Sequence, residues 1–101
     1  MWQDDVVALA VENVELDMSQ NDTEALIVRA VYGKGMASQR KDNSNFTFTK
    51  VVSPAATATG VTVSTEGVVS AGTVNGAAVV EVTLKGAPNV PPAFATVTVT
   101  A

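Results

Sequence analysis

The sequence predicts an all-β fold, a two-layer β-sandwich around one core. Val, Ala and Thr dominate the composition, and only 5% of the residues are aromatic, a balance that suits strands. Apolar and polar residues alternate in about seven short runs, which places their side chains on opposite faces of a strand. Turn-forming residues separate these runs at regular intervals, as is typical of sandwiches. With 101 residues, the chain can build one such core but not two.

The first half of the chain carries four predicted strands and one long loop. Residues 5–11 admit either a helix or a strand, and the β-branched valines there favour the strand. Alternation then predicts strands over 14–18, 26–32 and 46–49. Residues 36–45 are polar and basic without any period, which indicates an exposed, mobile loop.

The second half shows the clearest alternation. A strand is predicted over 61–64, followed by a tight turn at Glu66-Gly67. Asn75-Gly76 is a hairpin signal, because both residue types tolerate a positive φ angle. The last two strands are predicted over 79–84 and 95–101, and in the final one small apolar residues face inward while threonines face outward.

The composition excludes several kinds of chemistry. Cysteine and histidine are both absent, which rules out thiol nucleophiles, imidazole bases, zinc fingers and disulfide staples. The net charge of −4 is opposite in sign to that of a typical nucleic-acid binder. No apolar run approaches the ~20 residues of a membrane-spanning helix, and the acidic start is unlike a basic secretory signal. We therefore expect no cofactor, no nucleic-acid partner and no insertion into a membrane.

The charges are distributed unevenly along the chain. Residues 1–24 carry seven acids and no base, whereas residues 29–50 carry five bases and one acid. Segregation of this kind usually marks solvated faces and loops. The alternative is electrostatic complementarity with a neighbouring copy or another partner.

Neighbouring acids are the first candidates for catalysis. The close pairs are Asp4 with Asp5 and Glu15 with Asp17. Adjacent residues of a strand point to opposite faces, which separates the first pair. The second pair shares a face that is predicted to be solvent-exposed, and no pocket is expected around it. We therefore predict no catalytic residues and no enzyme activity.

The turn after the second strand is the candidate calcium site. Its oxygen-bearing side chains are Asp17, Asn21, Asp22 and Glu24. Their spacing is not that of an EF-hand loop, and all four are ordinary turn residues. The turn interpretation is favoured, and no metal site is predicted.

A basic loop is the candidate surface for contact with a ligand. Its residues are Lys34, Arg40, Lys41 and Asn43. Together they could form an exposed tip on a rigid sandwich, with Trp2 and Tyr32 as stacking surfaces for a sugar ring. The favoured alternative for Trp2 and Tyr32 is packing against the fold itself, since stacking sites usually use several aromatic residues.

One stretch of the second half matches a known pattern. Residues 59–73 read T-G-V-T-V-S-T-E-G-V-V-S-A-G-T, and residues 75–83 continue with N-G-A-A-V-V-E-V-T. This stretch resembles the bacterial Ig-like group 2 family, and the run at 95–101 is similar to the last strand of that family. The resemblance implies an immunoglobulin-like β-sandwich of about seven to nine strands over residues 13–101.

The chain departs from that family at two places. Phe46-Thr47-Phe48 stands where a tryptophan is common, and the loop at 36–45 is longer and more basic. Residues 1–12 are then either an N-terminal segment or the first strand.

The start of the chain carries a second, shorter resemblance. Residues 2–12 read W-Q-D-D-V-V-A-L-A-V-E and are similar to a segment near the C-terminus of tailed-phage major capsid proteins, although Ala10 replaces a basic residue. Ig-like domains of this family occur as appendages of phage capsid and tail proteins. The two resemblances together imply a structural or binding module on a virion surface.

Partners and location follow from these resemblances. The expected partners are other virion or surface-protein subunits, with host cell-surface carbohydrate as a weakly bound ligand. The main alternative is an extracellular domain of a bacterial adhesin or cell-wall protein. An accessory domain of a carbohydrate-active enzyme ranks third.

Overall fold

The fold consists of β-strands, with a short 3-10 helix at Asn43–Asn45. The structure, a computed structural model, describes residues 5–33, 35–51 and 57–101. Over these ranges no helix has the length and apolar character needed to cross a membrane. The strands are β1 (Val6–Val11), β2 (Glu15–Ser19), β3 (Thr23–Ala25), β4 (Val28–Tyr32), β5 (Gln39–Arg40), β6 (Phe46–Lys50), β7 (Thr62–Val63), β8 (Val68–Ser70), β9 (Gly76–Leu84) and β10 (Ala93–Thr100).

Four strands form the largest sheet, in the order β2-β10-β9-β6. β9 pairs antiparallel with both β10 and β6, whereas β2 runs parallel to β10. The predicted alternation is confirmed, because the threonines of β10 face solvent and the inward-facing valines are buried, namely Val80, Val82, Val97 and Val99. We call this the long-strand sheet, since β9 has nine residues and β10 has eight.

The other six strands form two three-stranded sheets, β1-β4-β5 and β3-β8-β7. These sheets are joined through residues 23–32, where only Leu26 and Ile27 separate β3 from β4. The β3 end of this run pairs with β8, and the β4 end pairs with β1. We call the two together the short-strand sheets.

One core is shared by the long-strand sheet and the short-strand sheets. Val28, Val69 and Val97 come from three different sheets, and all belong to one buried cluster. Apart from the Tyr32 hydroxyl, the buried side chains of the described residues carry no hydrogen-bonding group. The described fold is therefore all-β, with layers compatible with a β-sandwich, and it measures 43 × 21 × 21 Å.

Several predicted elements are confirmed. Residues 6–11 form a strand rather than a helix. The turn at Glu66-Gly67 links β7 to β8, and the Gly67 N–H donates to the Ser64 carbonyl at 3.0 Å. One face of the run 26–32 is buried as predicted, with inward-pointing Leu26, Val28, Ala30 and Tyr32.

The hairpin predicted at Asn75-Gly76 is wrong. β8, which precedes it, pairs with β3 and β7, whereas β9, which follows it, pairs with β6 and β10. The segment therefore crosses from one sheet to another. A turn signal describes the local backbone and does not say which strand the next one will join.

The number of strands also exceeds the predicted seven to nine. The described residues form ten, because the run 23–32 is divided into β3 and β4, and because β5 and β7 are distinct strands of two residues each. β5 and the 3-10 helix both lie within residues 36–45, which the sequence predicts as a loop without regular structure. Side-chain contacts to distant parts of the chain support them.

Candidate interaction surface

The predicted ligand-contact residues do not form one constellation in the described part of the chain. Lys34 lies outside it, as do Trp2 and Asp4. Arg40 is the last residue of β5, and Lys41, which follows it, donates from Nζ to Gln39 Oε1 at 3.2 Å. The side chains of Arg40 and Asn43 bond to different regions of the fold.

Arg40 belongs to a charged cluster with Glu12 and Arg29 on the outer face of the sheet β1-β4-β5. Arg29 on β4 lies directly opposite Arg40 on β5, so the two side chains share one face. The Glu12 carboxylate accepts hydrogen bonds from Arg29 Nη1 at 2.9 Å and from Arg40 Nη2 at 2.7 Å. Arg40 Nε donates to the same carboxylate. One acid therefore bridges two cations that would otherwise repel each other across the strands.

Arg29 also holds the segment that leads into β5. Its Nε donates to the Ser38 hydroxyl at 2.9 Å, and its Nη2 donates to the Ser38 carbonyl at 2.8 Å. The Lys41 N–H continues the contact by donating to the Val28 carbonyl at 3.1 Å. The exposed, mobile loop predicted over 36–45 is therefore exposed at Gln39–Arg40, but these residues form a strand, and residues 38–41 are bonded to β4 at both ends.

The charged cluster shifts the pKa values of Glu12 and Arg40. Hydrogen bonds from Arg40, and then from Arg29, lower the pKa of Glu12 from its ordinary value of 4.5 to about 2. The same carboxylate raises the pKa of Arg40. All three groups are charged at neutral pH, and the cluster has a net positive charge. The Arg40 side chain remains 62% exposed, so part of its guanidinium group still faces solvent.

Asn43 connects two parts of the fold instead of facing solvent freely. Its Nδ2 donates to the carbonyls of Leu26 and Glu66, each at 2.9 Å. The first carbonyl belongs to the junction of β3 and β4, and the second belongs to the turn between β7 and β8. Asp42 accepts from the Ser44 N–H at 2.9 Å, and this bond lowers the pKa of Asp42. A ligand that used the Asn43 amide would have to replace two existing bonds.

Glu12 and Asn13 support the short-strand sheets, although neither was predicted as a site residue. Asn13 Oδ1 accepts from the Ile27 N–H at 3.0 Å, and its Nδ2 donates to the Ala25 carbonyl at 2.9 Å. Asn13 therefore bridges the break between β3 and β4. The segregation of acids and bases along the sequence is a signal for the Glu12 cluster. No local pattern marks Asn13, because the pairing of β1 with β4 brings its partners to it.

The oxygen-rich turn after β2 serves the backbone. Asn21 adopts a φ of 67°, and the Asp22 carboxylate accepts from the Ser19 N–H at 3.0 Å. Glu24 accepts from Asn13 Nδ2 at 3.2 Å. Across the described ranges, no group of three or more acidic side chains converges as a metal site would require.

Among the described residues, three of the four aromatic side chains are part of the core. Tyr32 is only 7% exposed, so it does not offer a ring face to a ligand. Phe46 and Phe48 are also buried and meet edge to face, with ring centroids 6.4 Å apart. Phe94 on β10 is 51% exposed, which provides one aromatic surface on the outside of the long-strand sheet.

A shallow cavity lies beside β6. Its volume is about 90 Å³, and its lining residues are Phe46, Thr47, Phe48, Thr65 and Lys85. Pockets that enclose small molecules usually have volumes of roughly 300–1,000 Å³. The cavity can therefore accept a side chain or a few water molecules, but it cannot enclose a sugar or a nucleotide.

The geometry described above is that of an all-β domain whose polar side chains mostly bridge its own strands. Comparison with protein-family models and with curated proteins finds no match to this chain. Function must therefore be inferred from the fold and from these side chains.

Proposed function

We propose that this chain is a non-enzymatic, immunoglobulin-like structural or binding module of a larger surface assembly. The order of its strands carries the proposal. Immunoglobulin domains place strands A, B, E and D in one sheet and C, F and G in the other. If residues 23–32 are taken as strand B, one layer has the order β1, β3/β4, β8, β7 and the other contains β6, β9 and β10. Both layers then match the immunoglobulin arrangement, and the lettering also follows the order along the chain.

The parallel pairing of β2 with β10 supports the same assignment. β1 pairs with β4, and after residues 12–14 the chain pairs again as β2 with the final strand. The N-terminal part therefore contributes to both layers, which connects the beginning and the end of the domain. A unit whose N-terminal part is held in both layers is suited to repeated use as a spacer or presenter.

A non-enzymatic role is favoured by the positions of the ionisable groups. Among the described residues no charged side chain is buried, and catalytic groups usually depend on burial to adjust their pKa. The carboxylate with the largest pKa shift, Glu12, is held ionised between two arginines. That environment suits a structural ion bridge better than proton transfer.

The setting that we propose first is a virion surface, as part of a capsid or tail protein. Its support is the resemblance of residues 2–12 to phage capsid proteins, together with the Ig-like resemblance of residues 59–83. The described part of the first segment forms β1 and supplies Glu12 to the charged cluster. A bacterial adhesin or cell-wall domain is the second candidate, and the elongated shape of 43 × 21 × 21 Å suits a spacer in such a protein.

In either setting, the surface around Arg40 and Lys41 is the candidate contact for host-surface carbohydrate. The exposure of Arg40 and the net positive charge of its cluster favour this surface. Many copies on one particle would turn a weak contact into useful attachment. Asn43, the first residue of the 3-10 helix, would contribute by fixing that helix to the carbonyls of Leu26 and Glu66.

Co-sedimentation tests the binding part of this proposal. The whole chain, tagged and clustered on beads, is mixed with intact bacterial cells and with purified cell-wall polysaccharide. The test variant is Arg40→Ala/Lys41→Ala. The matched control is Lys50→Ala/Lys85→Ala, which removes the same charge beside β6. Thermal unfolding by circular dichroism checks that both variants fold.

We expect saturable binding that the test variant loses and the control retains. Equal loss in both variants indicates non-specific charge attraction and contradicts a dedicated contact surface. A lack of binding even on beads leaves a structural role alone. An antibody against the domain separates the two settings, since it labels purified virions in the first and intact uninfected cells in the second.

A further inference from the structure

One edge of the long-strand sheet is the free side of β2. Two backbone bonds fix the phase of the β2–β10 ladder: the Thr96 N–H donates to the Val14 carbonyl at 2.7 Å, and the Gln20 N–H donates to the Thr100 carbonyl at 3.2 Å. Even-numbered residues of β2 therefore direct their N–H and C=O groups toward β10. The backbone groups of Glu15 and Asp17 point away, and none of them has a partner among the described residues.

The opposite edge is the free side of β6. The bonds that flank this strand, from Lys85 to Asn45 and from Val51 to Val79, show that its odd-numbered residues face β9. The Phe46 N–H is already used, because it donates to the Asn43 carbonyl. Within the described ranges, the remaining outward groups are the Phe46 carbonyl and the N–H and C=O groups of Phe48 and of Lys50.

We infer that the long-strand sheet continues into a second copy of this chain, through parallel pairing of β2 in one copy with β6 in its neighbour. The two strands already run in the same direction within the sheet. β2 is parallel to β10, and β6 is reached from β10 by two antiparallel steps. Copies that stack side by side in the same orientation therefore present β2 and β6 to each other as parallel strands.

The free groups of the two edges match in phase, and the four of β2 find partners among the five of β6. A parallel register with Asp17 opposite Thr49, and Glu15 opposite Thr47, uses every free group of β2. The four resulting bonds run from Glu15 N–H to Phe46 C=O, from Phe48 N–H to Glu15 C=O, from Asp17 N–H to Phe48 C=O, and from Lys50 N–H to Asp17 C=O. The register also leaves the Phe46 N–H in its present bond with Asn43.

The side chains exclude antiparallel pairing of the same two edges. Residues directly opposite each other on adjacent strands share one face of the sheet. The free groups of β2 belong to residues that face solvent, whereas those of β6 include Phe46 and Phe48, which face the core. Antiparallel bonds would place a solvent-facing residue opposite a core-facing one. In the parallel register, solvent-facing residues lie opposite solvent-facing residues.

The charges on the solvent face also favour this pairing. Glu15 and Asp17 are exposed on that face of β2. Lys85 follows β9 in the outward phase of Thr83, the partner of Thr47, whereas Lys50 has the core-facing phase of Phe46 and Phe48. The two amines donate to carbonyl oxygens, of Thr59 and of Ser44 at 3.1 Å each, so neither charge is neutralised by these bonds. Two β2 edges would bring like charges together, whereas β2 against β6 places Glu15 and Asp17 beside neutral threonines and on the same face as the Lys85 amine. Because the contact joins two different surfaces, it extends into an open row of copies.

Proline substitutions test the pairing at single N–H groups. Asp17→Pro and Lys50→Pro each remove one outward N–H without removing a bond inside the sheet, and edge strands tolerate proline. Asp17→Ala and Lys50→Ala are the matched controls, because they remove the charge and keep the N–H. Sedimentation velocity of the whole chain over a range of concentrations measures self-association. Circular dichroism checks that every variant folds.

We expect the wild type to form species larger than a dimer as its concentration rises. For each proline variant alone, the affinity between copies should fall about tenfold or further. An equimolar mixture of the two should stop at a dimer, because the intact β2 edge of Lys50→Pro pairs with the intact β6 edge of Asp17→Pro. A wild type that stays monomeric at millimolar concentration overturns the proposal. So does a closed dimer that Asp17→Pro does not weaken, since that result indicates contact between two β6 edges.

A second measurement tests the pairing of β2 with β6 when a proline variant does not fold. In ¹⁵N spectra of the wild type, dilution should shift the amide resonances that enter the new bonds, those of Glu15, Asp17, Phe48 and Lys50. The amides of Leu16 and Met18, which face β10, are the internal reference. If the outward amides and the two reference amides shift equally on dilution, the edges do not pair.

Discussion

The long-strand sheet and the short-strand sheets are stabilised in different ways. In the first, the ladders along β9 and β10 are continuous, and the residues between them and the other layer are apolar and buried. In the second, the strands have only two to six residues. Polar side chains bridge the gaps there, namely those of Glu12, Asn13, Arg29 and Asn43.

This difference follows from the length of the alternating runs. Uninterrupted alternation over 76–84 and 93–100 lets each backbone group find a partner on the next strand. Interrupted alternation over 23–45 leaves N–H and C=O groups at every break, and such groups must find other partners. Substitutions in the long-strand sheet should therefore lower stability through lost packing. Those in the short-strand sheets should lower it through lost side-chain hydrogen bonds or forced backbone shifts.

The largest expected effect is the loss of Phe46 from the long-strand sheet. Phe46→Ala removes a fully buried ring and leaves a cavity against Phe48, which should lower the free energy of unfolding by about 3–5 kcal/mol. The matched control is Phe94→Ala, which removes the same ring from a half-exposed position and should cost less than about 1 kcal/mol. Urea unfolding followed by circular dichroism measures both, and equal costs would contradict a core role for Phe46.

The next effect concerns the close approach of two connecting segments at Gly72 and Gly60. Gly72 has a φ of +72°, and a Cβ there would lie 2.8 Å from the Gly60 carbonyl carbon. Gly86 has a φ of +73° and open space around it. An alanine pays about 1–2 kcal/mol for the left-handed backbone at either position. At Gly72 overpacking should add about 1–3 kcal/mol.

Comparing Gly72→Ala with Gly86→Ala therefore separates the cost of the steric contact with Gly60 from the cost of the left-handed backbone. Chemical unfolding of the two variants side by side gives the difference directly. A Gly72→Ala variant no less stable than Gly86→Ala would show that the segments around Gly60 and Gly72 move apart without cost.

The same two regions also show how much of this fold can be predicted from sequence. The inward and outward faces of β4, β6, β9 and β10 follow from alternation alone, because each face is set by residues within one strand. The Asn75-Gly76 prediction failed because the choice of sheet for β9 depends on β6 and β10 and not on the turn. Local patterns determine whether a segment forms a strand and which of its faces is buried, but they do not determine which strand it pairs with.

The candidate surface was less predictable for the same reason. Lys41 and Arg40 were identified as basic and exposed, but the sequence did not show that Arg40 would be shared with Glu12, 28 residues away. Asn43 was predicted to contact a ligand, yet its two partners are carbonyls that neighbour it only after β3, β7 and β8 have come together. The uneven distribution of charge along the sequence was an informative signal. Glu12, from the acidic segment 1–24, bonds within the chain to Arg29 and Arg40 of the basic segment 29–50.

A smaller effect is expected at the bridge across the break between β3 and β4. Asn13→Ala leaves the Ile27 N–H and the Ala25 carbonyl without their protein partners, but water can reach both. The expected cost is therefore about 0.5–1.5 kcal/mol. Asn13→Asp should not recover this stability, because its carboxylate can accept from Ile27 but repels the Ala25 carbonyl and the Glu24 carboxylate, to both of which Asn13 donates. Asn89→Ala, at an exposed loop position, is the control, and an equal loss there would contradict the bridging role of Asn13.

The smallest effect, and the one with a distinct pH signature, is expected at the charged cluster. The folded state lowers the pKa of Glu12 to about 2 from its ordinary 4.5, so its ionised form is stabilised by folding. That contribution is fully present above pH 4.5 and is lost as the pH falls toward 2. Glu12→Gln removes the charge, so the difference in melting temperature between wild type and variant should be constant near neutral pH and shrink below pH 4.5. Glu66→Gln, at an exposed acid of the β7–β8 turn, is the matched control. Identical pH profiles for wild type and Glu12→Gln would show that the two arginines hold β5 without help from the carboxylate charge.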